Sequence, residues 1–320
     1  MSERHLNIKS LVMYYRTLRG EVKAVDDVSF SLPKGETIAV IGESGCGKSS
    51  LAKSIIRLLP RNVSVYKGAV LFNGLNLMDL DEETFTKEIR WTKITYVPQA
   101  ALNSLNPIIK IGDQMIEPLL LHQKMSKGEA LERAAKTLKA VGVNEAFLHH
   151  YPFELSGGMK QRVIIAMSLL TNPELMILDE PTSSLDVLTQ ANIMNLLKNI
   201  KRELKISMIF ITHDVSLSSE LADKVAVMYA GQVVEFSDAE TFYNDPKHPY
   251  SQKLMESVPT LRTDKKLGFI SGSPPSLLDP PKGCRFADRC PFIFEKCIKD
   301  PPIMHLNEGF YAKCWLYEKE

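Results

Sequence analysis

The stretch Thr37-Ile38-Ala39-Val40-Ile41-Gly42-Glu43-Ser44-Gly45-Cys46-Gly47-Lys48-Ser49-Ser50 decides the fold. Thr37–Ile41 is a short apolar run and reads as a buried strand. Gly42–Ser49 then fits G-x-x-x-x-G-K-[ST], and a helical pattern runs from about Ser49 to Leu59. Strand, glycine turn and helix form the context in which this pattern holds phosphate. The glycines let backbone N–H groups turn toward one anion, and the helix N-terminus adds partial positive charge. Lys48 is placed to reach the β- and γ-phosphates of a nucleotide, and the Ser49 hydroxyl to bind Mg²⁺. Cys46 occupies a free position of the pattern and reads as a tolerated small residue.

Working outward, a second apolar run, Leu175-Met176-Ile177-Leu178, ends in Asp179-Glu180. Side chains at the C-terminal end of such a strand face the crevice where α/β folds bind ligands. Asp179 can hold Mg²⁺ and Glu180 can polarise an attacking water. Alone, two acids at a strand end would be an ordinary solvated terminus. Further strands are expected at Leu6–Tyr15, Ala24–Leu32, Gly68–Gly74, Ile94–Val97, Met208–Thr212 and Lys224–Met228. Helices are expected within 111–170, notably Lys127–Ala140, and over Leu188–Leu204. Strands alternating with helices predict an α/β core with a mainly parallel sheet and an inserted helical subdomain at about 103–170.

Leu155-Ser156-Gly157-Gly158-Met159-Lys160-Gln161-Arg162 supplies a third motif. Ser-Gly-Gly at the head of a helical run is a second anion site at a helix N-terminus. One ATP cannot use both on one face, so the economical arrangement is a head-to-tail dimer. Each ATP would lie between one chain's phosphate loop and the other chain's Ser-Gly-Gly. With these three motifs in order, the chain resembles the ABC ATPase family over residues 5 to about 240. The resemblance implies a P-loop NTPase cassette: a RecA-like core, an antiparallel β part and the helical insert. It also implies roles for further residues. Gln99 would sense Mg²⁺ and the attacking water, and His213 would contact the γ-phosphate. Tyr15 would stack on adenine, with Tyr14 the competing choice, and Val25 and Ser50 would join the nucleotide contacts. Ser156, Gly157, Gly158, Met159 and Asp186 would act in trans, Asp186 within the interface loop Ser183-Ser184-Leu185-Asp186.

Met159 replaces the commoner Gln, and Ser104-Leu105-Asn106-Pro107 follows the Gln99 loop. Both are similar to one of the two ATPase subunits of dipeptide and oligopeptide importers. So are His248-Pro249-Tyr250, Gly272–Leu278 and the cysteines beyond. The resemblance implies ATP and Mg²⁺, a second homologous ATPase and two transmembrane permease subunits. An extracytoplasmic solute-binding protein would act indirectly. The function implied is ATP-driven import of di- or oligopeptides, or a related solute such as an oligosaccharide, from the cytoplasmic face of the membrane. The competing class is an ABC ATPase acting on DNA or ribosomes. Such chains carry two cassettes, coiled coils or basic segments, whereas here the formal net charge is +1 and charged residues make up 24% of the chain. A nucleic-acid partner is therefore not expected. No run approaches the ~18 apolar residues of a membrane span.

Past Val258 the composition shifts: eight of the 18 prolines lie between Pro259 and Pro302. A boundary is expected at Val258–Lys266, dividing an ATPase domain, 1–258, from an extension, 259–320. So short a segment has little core of its own and calls for a staple. Cys284, Cys290, Cys297 and Cys314 are separated by five, six and sixteen residues, without the C-x₂₋₄-C pairs usual for zinc. The expected staple is one [4Fe–4S] cluster, as in some relatives that the resemblance points to, with free thiols or Zn²⁺ as the alternatives.

Overall fold

The computed structural model describes residues 4–99, 103–258, 268–307 and 309–318. The chain divides into two compact units, Met1–Met78 with Ile211–Glu320, and Asp79–Phe210. Elements are numbered along the chain.

In the first unit, β1 (Arg4–Thr17), β2 (Gly20–Pro33), β4 (Val63–Phe72) and β5 (Leu75–Asn76) form an antiparallel sheet in the order β2-β1-β4-β5. Val28, Phe30 and Leu32 alternate inward along β2, the period-2 pattern of a strand with one buried face. β3 (Thr37–Ile41) is buried at every residue and pairs in parallel with β9 (Lys224–Tyr229). Near-continuous apolar sequence is what a strand covered on both faces requires. β9 turns into β10 (Gln232–Asp238) through Ala230 and Gly231, both at positive φ, as a tight right-twisted hairpin demands. β12 (Phe310–Ala312) adds to β10, and β11 (Met304–Asn307) adds to β12. Helices α1 (Lys48–Ile55), α7 (Val215–Ser219), α8 (Ala239–Asn244) and α9 (Pro249–Glu256) complete the unit. α1 stops before the expected Leu59, because Arg57 adopts a left-handed φ of 54° and Pro60 follows.

The expected boundary falls mainly on residues 259–267, which lie outside the described residues. Beyond it the chain does not stand apart. Phe286 is buried in one core with Ile41, Val227, Tyr229, Phe242 and Tyr250. A proline-rich segment without its own core thus adds a ring and two strands to the first unit.

The second unit holds α2 (Glu82–Thr84), β6 (Ile94–Val97), α3 (Ile111–His122), α4 (Lys127–Ala140), α5 (Gly157–Leu169), β7 (Leu175–Asp179) and α6 (Val187–Leu204). β8 (Ser207–Thr212) begins in it. β6 and β7 are parallel neighbours, and β7 is buried throughout. α4 matches its expected span because Ser126 and Glu129 close a reciprocal capping box. Among the described residues no helix is long and apolar enough to cross a membrane.

Candidate functional site

The phosphate-loop pattern lies between β3 and α1 in the first unit. Gly42, Gly45 and Gly47 have φ of 152°, 78° and 110°. A Cβ on Gly42 would collide with the Met228 carbonyl oxygen, and one on Gly47 with that of Ala24. Gly47 caps α1 without a side chain, and the first turn carries no acid, so the positive helix end faces the loop unopposed. Lys48 is 5% exposed; its Nζ donates to the carbonyls of Gly42 (2.7 Å) and Glu43 (3.0 Å). The side chain therefore arches back over the loop it follows. Ser49 and Ser50 are half-buried and Ser44 is exposed. Cys46 points inward: its Sγ lies 3.9 Å from Lys48 Nζ, and burial pushes its thiol pKa up. Its side chain fills the loop rather than facing a ligand.

The two tyrosines of β1 separate clearly. The Tyr15 hydroxyl donates to Ser50 Oγ at 3.0 Å, next to the loop. Tyr14 donates instead to Asp26, which also receives the Arg285 guanidinium. Burial and that carboxylate push the Tyr14 pKa well above the usual phenol value. Val25 is fully buried opposite Met13, whereas Tyr14 and Tyr15 are both half-buried. His213 is exposed at the end of β8, one residue before Asp214 caps α7.

Sequence reasoning missed two residues that grip the loop from the C-terminal side, Tyr250 and Arg289, and a third, Arg285, that holds the neighbouring Ala230 and Asp26. The Glu43 N–H donates to the Tyr250 hydroxyl at 2.9 Å. The Glu43 carboxylate accepts two bonds from Arg289, at 2.7 and 2.9 Å. Arg285 donates to the Ala230 carbonyl as well as to Asp26. Tyr250 belongs to the quoted His248-Pro249-Tyr250; the only cue to the arginines was a base beside each of two cysteines.

In the second unit, Asp179 is fully buried at the end of β7, and the Tyr96 hydroxyl donates to its Oδ2 at 2.9 Å. Tyr96 was not anticipated. Glu180 turns out of the strand at a left-handed φ of 49°, a conformation that costs a non-glycine residue about 1–2 kcal/mol. Gln99 Nε2 donates to Glu180 Oε2 at 3.2 Å, which brings these two expected residues together. Ser156 caps α5, accepting from the Met159 N–H at 3.3 Å. A Cβ on Gly158 would meet the Thr189 methyl at 2.6 Å, so this glycine also lets α5 approach α6. Asp186 caps α6 and accepts from Thr189 N (3.0 Å) and Oγ1 (2.6 Å), bonds that lower its pKa.

The four clustered cysteines line one small, apolar cavity, shared with Phe286, His248 and Trp315. Burial raises the Cys284 and Cys314 pKa values to about 11 each. Among the described residues, no group of three or more His, Cys, Asp or Glu is arranged to hold a metal ion. The expected iron–sulfur cluster and the zinc alternative thus find four thiols around one cavity, but not a ready ligand set.

The ABC transporter family profile matches residues 25–183, and the oligopeptide/dipeptide transporter C-terminal region matches 234–297. A dipeptide transport ATP-binding protein of Caldanaerobacter subterraneus is 43% identical over 98% of this chain and 97% of its own length. An oligopeptide transport ATP-binding protein of Escherichia coli is 44% identical over 97% and 92%. The dimeric structure of a bacterial ABC transporter cassette superposes with a TM-score of 0.66 at 30% identity, covering 73% of this chain and 98% of that one.

Proposed function

Because the chain belongs to the ABC transporter ATP-binding family, in the group carrying the oligopeptide/dipeptide transporter C-terminal region, we propose that it hydrolyses ATP to drive import of di- or oligopeptides. The observation that carries this reading is the loop Gly42–Ser49. Gly42 and Gly47 leave no room for a side chain, its lysine arches back over it, and an uncompensated helix end faces it.

The roles follow the family order of motifs. Lys48 neutralises charge on the β- and γ-phosphates as the bond to the leaving ADP oxygen opens. Glu180 takes the proton of the water whose oxygen attacks the γ-phosphorus, and Gln99 orients that water. His213 steadies the γ-phosphate, and Tyr15 stacks on the base. Ser49, Gln99 and Asp179 would hold Mg²⁺, which supplies charge neutralisation at the phosphates. Ser156, Gly157, Gly158, Met159 and Asp186 serve a nucleotide bound by a second, homologous ATPase. Exposed Phe153, Val187 and Leu188 near these residues support such a partner. The Ser156 hydroxyl accepts from its own helix, which leaves its proton to donate to a phosphate oxygen.

Two permease subunits complete the reading, with a solute-binding protein acting through them and the chain on the cytoplasmic face. A groove along α3, lined by Ile109, Asp113, Ile116, Glu117, Leu120 and Leu121, supports docking of a permease segment. Four thiols around one cavity, in a segment short of core, support a structural [4Fe–4S] cluster. The experiment is ATP hydrolysis and nucleotide binding by the purified chain with its partner ATPase. Lys48→Ala should abolish binding, and hydrolysis that survives Lys48→Ala would overturn the proposal.

A further inference from the structure

Glu43 occupies a free position of the phosphate-loop pattern, yet every polar handle it has is taken. Its carbonyl accepts from Lys48 Nζ at 3.0 Å and from the Cys46 N–H at 3.3 Å. Its N–H donates to the Tyr250 hydroxyl, and its carboxylate holds Arg289 through a two-bond fork. The first pair of contacts lies inside the loop; the other two come from residues 250 and 289, far along the chain.

Arg289 is built for this contact. Its side chain is 5% exposed. Nε donates to the Ser271 carbonyl at 2.9 Å, Nη1 to the Tyr229 hydroxyl at 3.1 Å, and Nη2 also reaches the Ile270 carbonyl at 3.4 Å. The guanidinium plane is thus fixed before it meets the carboxylate, and the fork transmits direction as well as charge. Tyr229 ends β9, and the neighbouring Gly231 N–H donates to the Cys46 carbonyl. The loop is therefore held from one side at residues 43 and 46.

We propose that Arg289 is a positioning residue for the phosphate loop. By clamping Glu43 it fixes the loop carbonyl that steers the Lys48 amine, and so sets ATP affinity from the cysteine-bearing segment. Arg289 touches no nucleotide in this account; it acts through Glu43. The inference rests on the reading that Gly42–Ser49 binds ATP.

The test measures binding of a fluorescent ATP analogue to the full-length chain, with melting temperature recorded for every protein. The proteins are wild type, Lys48→Ala, Arg289→Gln, Arg289→Lys, Glu43→Gln and the Glu43→Gln/Arg289→Gln double variant. Loss of a charge-assisted pair predicts an affinity about tenfold weaker for Arg289→Gln and for Glu43→Gln. Arg289→Lys should recover part of that loss, since the charge returns without the fork. The double variant should be no weaker than the weaker single one, because both remove the same contact. Single-variant affinities within twofold of wild type would overturn the proposal, even with lowered melting temperatures, since the clamp would then be structural only. Losses that multiply in the double variant would overturn it too. Should Arg289→Gln fold poorly, Glu43→Gln and Arg289→Lys decide by the same twofold criterion. A wild type that binds no analogue, or a Lys48→Ala that binds as well as wild type, would bring down the site itself and is a distinguishable result.

Discussion

Replacing Arg285 by methionine should destabilise the first unit by about 2–4 kcal/mol. The Arg285 side chain is 7% exposed and that of Asp26 is 15%, so water screens the pair little. Such a pair falls outside the ~0–1 kcal/mol typical of surface ion pairs. Removing one partner of a buried pair costs about 3–5 kcal/mol, because a charge is left stranded. The Tyr14 hydroxyl still donates to Asp26 in the variant and offsets about 1 kcal/mol. The chain has two tryptophans, Trp91 and Trp315. In a Trp91→Phe background, Trp315 fluorescence reports urea unfolding of the first unit alone. Asp26→Asn in the same background removes the stranded charge, so the double variant should lose clearly less than the sum of the two single ones. Burial works to raise the Asp26 pKa, but Tyr14 and Arg285 outweigh it and hold the pKa below the usual value. The pair's contribution is therefore full at pH 7 and is lost as pH falls through that lowered value. A loss below 1 kcal/mol in Arg285→Met, or strict additivity with Asp26→Asn, would refute the argument.

Glu180→Gln should lower turnover by ~10²–10⁴ while ATP still binds, and near-wild-type ATPase would remove Glu180 from the mechanism. Hydrolysis per chain should be weak for the chain alone and rise with added partner ATPase; a high, concentration-independent rate would contradict a composite site. Anaerobically purified protein should be brown with about four irons per chain. Colourless protein with stoichiometric zinc, or with no metal, would sink the cluster. Burial pushes the His248 pKa down from 6.5 to about 3. Below pH 6.5 the unfolded chain gains a proton that the folded one refuses, so stability is full above about pH 6.5 and falls toward pH 3. The slope approaches about 1.4 kcal/mol per pH unit. His248→Asn should flatten that slope between pH 6.5 and 5, and equal slopes in the two proteins would clear His248.

What could be read in advance follows from how local each signal is. β3, β7 and β8 are buried throughout, so composition alone marks them as strands, and the Ser126–Glu129 box marks where α4 starts. The phosphate loop is a contiguous pattern with one steric solution. β10, β11 and β12 were not anticipated. The two extension strands are only four and three residues long, and their identity as strands comes from a neighbour. Arg289 on Glu43 and Arg285 on Asp26 join residues more than 240 positions apart, and neither member of either pair is unusual in its own surroundings. Tyr14 and Tyr15 are adjacent and alike in type, and only the partners of their hydroxyls tell them apart. The loop pattern points to Asp186 only as an interface element; its bonds to Thr189 add a helix-capping duty that the pattern alone does not reveal.

The hairpin at 304–312 has a consequence for solubility. Without it, β10 would present the open backbone edge of a seven-residue strand containing Val233, Val234 and Phe236. An unpaired apolar edge of that kind recruits strands from other molecules. β12 takes up that edge through Glu235–Ala312 and Phe236–Tyr311, and the Lys313 N–H adds a bond to the Val234 carbonyl. The frontier then passes to β11, four residues long, with His305 and Asn307 outward. So short and polar a border gives a stray strand little to grip. Deleting 301–318 should therefore yield a cassette that clumps during expression, whatever becomes of its chemistry.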